Sequence, residues 1–118
     1  MISAFKAAAE FYTDERCYIV QMHNIAADDG VSIARARVEP GVTTQLHALD
    51  GIQERYVILA GEGKVEIGGG EAVSVRELDV ASIPAGVSQR ISNTGSTDLM
   101  FLCICTPRFR RESYRKLE

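Results

Sequence analysis

The chain has 118 residues, 46% of them hydrophobic and 25% charged, with a formal net charge of -3. Those proportions belong to a folded globule and exclude a disordered chain. The acidic balance excludes a nucleic-acid binder that works by bulk charge, and the length predicts a single domain over residues 1–118.

The N-terminal stretch from Met1 to Glu10 is apolar but broken by Lys6, so it does not read as a secretory signal. Ser3 to Phe11 predicts at most a short helix or turn, because so few residues rarely sustain a helix alone. Strand signals then take over. Cys17–His23 is apolar and β-rich, with His23 read as an edge histidine. Val31–Val38 alternates, with Ser32, Ala34, Ala36 and Val38 on one face and Val31, Ile33, Arg35 and Arg37 on the other. Arg35 and Arg37 are expected to face solvent or to clamp an anion in a cavity. Further strands are expected over Thr43–Leu49, Arg55–Leu59, Lys64–Ile67, Ala72–Val75, Val80–Ile83, Ser88–Ser92 and Leu99–Thr106. Turn signals separate them: Asp28-Asp29-Gly30, Pro40-Gly41, Gly61-Glu62-Gly63, Gly68-Gly69-Gly70, Pro84-Ala85-Gly86 and Asn93-Thr94-Gly95. Many short strands at close spacing predict an all-β sandwich or barrel.

The last strand is apolar on both faces. Leu99, Phe101, Cys103 and Cys105 share one; Met100, Leu102 and Ile104 share the other, which needs cover from the N-terminal segment or from a second subunit. Its seven-residue apolar run, Leu99 to Cys105, is far too short for a membrane span. Three cysteines, Cys17, Cys103 and Cys105, read as reduced, buried thiols in a cytoplasmic protein. Arg110 to Leu117 predicts a C-terminal helix with Glu112 and Lys116 paired. Residues 108–118 carry a net charge of +3, against -6 for the rest, so this tail is expected to dock on the acidic body through Phe109 and Tyr114.

The chemistry concentrates between residues 40 and 63. Alternation puts Gln45, His47 and Leu49 on one face and Glu54, Tyr56 and Ile58 on one face of the next strand. An imidazole and a carboxylate turned inward are costly unless paired with each other or bound to something. In spacing, this stretch resembles the first motif of the cupin family: Gly41, five residues, His47-Ala48-Leu49, four residues, Glu54, six residues, Gly61. Leu49 stands in place of the motif's second His. The second motif follows as Pro84-Ala85-Gly86, two residues, Gln89, three residues, Asn93, with Gln89 replacing the metal-binding His and Leu78 standing where the motif opens with Gly. The resemblance spans about residues 38–105.

That resemblance implies a small jelly-roll barrel and places the family's metal site at His47, Glu54 and Gln89. Two of three His ligands are missing, and an amide oxygen is a weak ligand. A divalent ion (Mn, Fe, Zn or Ni) would therefore be held weakly or not at all. His47, Glu54 and Tyr56 become the candidate catalytic residues, and Gln45, Leu49, Gln53 and Tyr56 the candidate substrate pocket. Implied activities are those of a dioxygenase, isomerase or epimerase acting on a small oxygenated metabolite. The alternative is a metal-free barrel that only binds a sugar or organic acid. The resemblance also supports a homodimer with a small molecule as ligand, and the charge balance and short apolar run predict no nucleic-acid or membrane partner.

Overall fold

A computed structural model describes residues 1–118. Two antiparallel sheets face each other. The chain contributes β1 (Phe11–Tyr12), β2 (Tyr18–His23), β3 (Ser32–Val38), β4 (His47–Leu49), β5 (Gln53–Ala60), β6 (Glu62–Ile67), β7 (Val73–Arg76), β8 (Val80–Ile83), β9 (Gln89–Asn93), β10 (Leu99–Thr106) and β11 (Tyr114–Lys116). One sheet runs β1-β2-β3-β10-β5-β8 and the other β11-β4-β9-β6-β7. The all-β expectation holds, and most strand limits fall within two residues of those read from the alternation. No helix is long and apolar enough to cross a membrane.

The pleat sorts side chains as the alternation requires. On β3, Ser32, Ala34, Ala36 and Val38 turn inward and are buried. Leu99, Phe101 and Cys105 of β10 lie opposite Val38, Ala36 and Ser32 in register. One end of the barrel is filled by Val38, Ile58, Ile83, Ile91 and Leu99, each 1% exposed or less. Toward the other end the inward side chains of β3 shrink to alanine and serine, which leaves open space between the sheets.

The expectation at the C-terminus fails. Arg110–Leu117 is not a helix: Arg111–Ser113 makes one 3-10 turn, and Tyr114–Lys116 pairs with β4 as β11. A helix of that length has few internal bonds to gain, whereas the unpaired edge of β4 offers a ready ladder. The expected Glu112–Lys116 pair is thereby lost, because strand geometry separates residues that a helix would stack. Arg35 and Arg37 do lie on the outer face, yet they are neither free in solvent nor in a cavity. Glu10 bridges both, at 3.0 and 2.6 Å, and Arg37 also reaches Asp98 at 3.1 Å. The N-terminal segment thus covers this face through ion pairs and Phe5, whose ring lies 4.9 Å from the Arg35 guanidinium.

Backbone demands explain two motif positions. Gly61 has φ +83°, and a Cβ there would sit 2.7 Å from the Asp98 carbonyl oxygen. Leu78, at the position where the cupin motif has glycine, is held at φ +72° with its side chain 76% exposed. An L-residue in this region is strained by about 1–2 kcal/mol. Leu78→Gly should therefore raise stability by about 0.5–1 kcal/mol, net of the entropy that glycine adds to the unfolded chain. Gly61→Ala should lower it by about 1–3 kcal/mol. Urea denaturation of the two variants checks both signs.

Candidate functional site

Beyond the alanine-lined stretch of β3 the barrel opens into a cavity of about 1100 Å³. His47 opens β4, pairs across the ladder with Gln89 of β9, and is 3% exposed. Its Nδ1 lies 2.7 Å from the carbonyl oxygen of Gln45. A carbonyl only accepts, so Nδ1 carries the proton and Nε2 is the atom left to exchange one. Nε2 lies 3.8 Å from a carboxylate oxygen of Glu15, in the loop between β1 and β2. The ring of Tyr114 stacks on the imidazole at 4.7 Å and 15°. The Tyr114 hydroxyl donates to Oε1 of Gln45 at 2.9 Å.

Glu54, on β5, is 7% exposed. The Cys105 thiol donates to its Oε2 at 3.5 Å, and no Lys or Arg pairs with it. Burial, with the charge of Glu15 nearby, pushes the Glu54 carboxyl up to about 7. Burial raises the Glu15 carboxyl as well, against the pull of His47. The Tyr56 hydroxyl donates to Oε1 of Gln89, and burial and Glu54 push its phenol well above the ordinary range. Burial pushes the Cys17 thiol up to about 12 and raises Cys103 and Cys105, so all three are protonated, unreactive thiols.

His47, Glu54, Tyr56, Gln45 and Leu49 thus meet at one cavity. Gln89 lies behind Tyr56, 1% exposed, with its amide oxygen already taken. Gln53 is the exception: it turns to the outer face, where its amide bonds Ser82 at 3.2 Å. Its odd spacing from Glu54 requires this, since neighbours on a strand face opposite ways. Leu49 packs with Ile52, Cys105, Phe109 and Tyr114, an apolar patch beside the imidazole. Sequence reasoning missed Glu15 altogether. It sits in a four-residue turn, with Arg16 at φ +70°, and nothing in the local pattern aims it inward. Tyr114 was expected to dock, but its partner His47 follows from β11 and not from a helix.

The profile of the cupin domain family matches residues 34–105. The chain belongs to the cupin family. Among curated relatives, the oxalate-binding protein of Thermotoga maritima is 41% identical over 83 residues, 70% of this chain and 64% of that protein. A crystal structure from the same organism, described as a predicted oxalate decarboxylase, is 32% identical with TM-score 0.71, covering 77% of this chain and 80% of that one. Pac13 of Streptomyces, described as a nucleoside dehydratase, superposes with TM-score 0.80 at 15% identity, over 98% of this chain and 90% of that one; this likeness concerns the fold alone.

Cupins commonly hold a divalent metal, but this cupin's donors do not fit one. No group of three or more His, Cys, Asp or Glu side chains is placed to hold an ion. The position of the second His is an apolar leucine, and the Gln89 oxygen is capped by Tyr56.

The raised Glu54 sets a pH dependence. In the unfolded chain its pKa is about 4.3. Between there and about 7 the folded state holds a proton that the unfolded state has released. Stability from this group is therefore full at the acidic end and falls as pH rises through the window, by on the order of 3 kcal/mol. Glu54→Gln should flatten that slope and leave the protein more stable than wild type at mildly alkaline pH, as read by calorimetry across the pH range.

Proposed function

We propose that this cupin binds a small polar metabolite in the open end of the barrel and moves a proton on it without a resident metal. His47 is the proton acceptor, through Nε2, and Glu54 is the acid that faces the same space. The observation that carries this is the bond from Nδ1 to the Gln45 carbonyl, which fixes the tautomer and aims Nε2 at the cavity. Glu54 supports it as a buried carboxyl with no cationic partner, tuned near neutrality, where a group can both give and take a proton. A proton taken from the ligand goes to Nε2 and its electron pair stays on the ligand; the Glu54 carboxyl can return a proton to another atom. That is the chemistry of an isomerase or epimerase rather than of a dioxygenase. Glu15 holds the imidazolium once it forms, and Tyr114 keeps the ring in plane.

A second reading, ligand capture without turnover, is favoured by the name of the 41% identical relative, a binding protein. Long-range nitrogen–proton NMR should find His47 in the Nδ1–H tautomer. Elemental analysis of protein purified without chelator should find no stoichiometric Mn, Fe, Zn or Ni. A tightly held stoichiometric ion lost in His47→Ala would overturn the metal-free reading. A ligand found by thermal-shift screening of sugars and organic acids then separates the two readings: His47→Gln abolishes turnover in the first, whereas the second shows none in wild type.

We also propose that the outer face of the six-stranded sheet pairs with a second copy. Leu59 of β5, the strand beside Leu102 and Ile104, is 37% exposed there, and Val80 of β8, on the far side of β5, is 61% exposed. Light scattering should give twice the 12.9 kDa chain mass, and a monomer at all concentrations would contradict the pairing.

A further inference from the structure

We infer that Glu15 and Glu54 select a neutral, polyhydroxylated ligand of sugar size and close the cavity to dicarboxylates such as oxalate. This rests on the cavity being a small-molecule site, as proposed above, and names the class of ligand.

The hydrogen-bonding groups left for a ligand are the first argument. Gln45 gives its Oε1 to Tyr114, so its N–H2 group is what remains for a ligand. Glu54 lines the cavity as an acceptor whose protein donors are all neutral and weak, the thiols of Cys105 and Cys103 and the amide of Gln89, although it is only 7% exposed. Glu15 adds a carboxyl whose nearest basic atom, His47 Nε2, lies 3.8 Å off, beyond a good hydrogen bond. Carboxyl oxygens that accept, beside an amide that donates, match a group that does both at each carbon, which is a hydroxyl. Neighbouring hydroxyls on a ring could engage Gln45, Glu15 and Glu54 together.

The walls are the second argument. Tyr114 and Phe109 stand on one side, and at the mouth Phe11 and Tyr12 line the same cavity while 49% and 58% exposed. Exposed aromatic faces at the rim of a polar cavity suit the apolar C–H face of a sugar ring.

Charge is the third. Arginines occur only at the rim, and two of them are spent: Arg108 and Arg110 both grip Asp29, at 2.8 and 2.6 Å. Arg111 is exposed on its 3-10 turn. A dianion entering the barrel would meet two carboxyls, with a single imidazole to offset them. Bringing charge out of water without a partner is strongly unfavourable. The 41% identical relative is named for oxalate. Glu15 lies outside residues 34–105, so it is no part of what the family model matches.

Titration calorimetry on the full chain, at mildly alkaline pH, tests this with D-xylose, D-glucose and myo-inositol against oxalate and malonate. At least one polyol should bind and neither dicarboxylate should. In Glu15→Gln/Glu54→Gln, the polyol should weaken by about tenfold or more, while oxalate binding should appear or strengthen by a similar factor. Glu15→Gln alone, in a mouth loop, serves if the double variant does not fold, with the same signs and smaller changes. Oxalate binding to wild type more tightly than every polyol overturns the inference, as does silence from all three polyols. So does unchanged oxalate affinity in the carboxyl variants. If whatever binds is insensitive to His47→Gln, the reading of the cavity itself falls. If oxalate binds and His47→Gln removes it, that reading stands and only the ligand class is wrong.

Discussion

A carboxyl group inside a protein must find a partner, give up its charge or wait for a ligand, and Glu54 does something of each. Its donors are neutral, the thiols of Cys105 and Cys103 and the amide of Gln89, no cation pairs with it, and its titration is displaced toward neutrality. The arrangement around it follows from that constraint. Tyr56 and Gln89 satisfy each other and lie against the carboxyl, which removes two polar groups that would otherwise need water. His47 is tied by Nδ1 to a backbone carbonyl, so its orientation does not depend on the carboxyl at all. The acid and the imidazole are thus held by separate supports, and each is free to act on a third party.

The two ends of the barrel divide the labour. At one end, close-packed aliphatic side chains supply the burial that holds the sheets together. At the other, alanine and serine on β3 give up that burial and leave space. Segments outside the family-matched region finish the open end. The β1–β2 turn brings Glu15, and the C-terminal strand brings Tyr114. That strand is fastened at its end, where Leu117 N–H donates to the Leu46 carbonyl and Glu118 bridges Arg16 at 2.7 Å. The motif therefore supplies a cupin barrel and the Gln45 carbonyl that holds Nδ1, while segments outside it supply Glu15 and Tyr114 beside the imidazole.

Period-two alternation and turn residues gave away the strands because each strand has one buried face, and that signal is local. The motif spacing located His47, Glu54 and Gln89 because the positions are counted along adjacent hairpins. Legibility ended where a group's role depends on a distant segment. Gln53 is expected in the pocket as a neighbour of Glu54 in the chain, but the pleat sends adjacent residues to opposite faces, and its amide bonds Ser82 outside. The C-terminal residues had helix-forming composition, and the exposed edge of β4 decided otherwise.

Sequence alone determined the fold class, most of the strand limits and the replacement of two motif histidines by Leu49 and Gln89, since all three are written in nearest-neighbour pattern and residue identity. Only the tertiary structure decided which nitrogen of His47 faces the cavity and that Glu15 stands beside it. It alone showed the Gln89 oxygen already occupied and two of the rim arginines, Arg108 and Arg110, committed to Asp29. Each of those facts is a distance between residues far apart in the chain, set by how two sheets close on each other, and no local pattern encodes it.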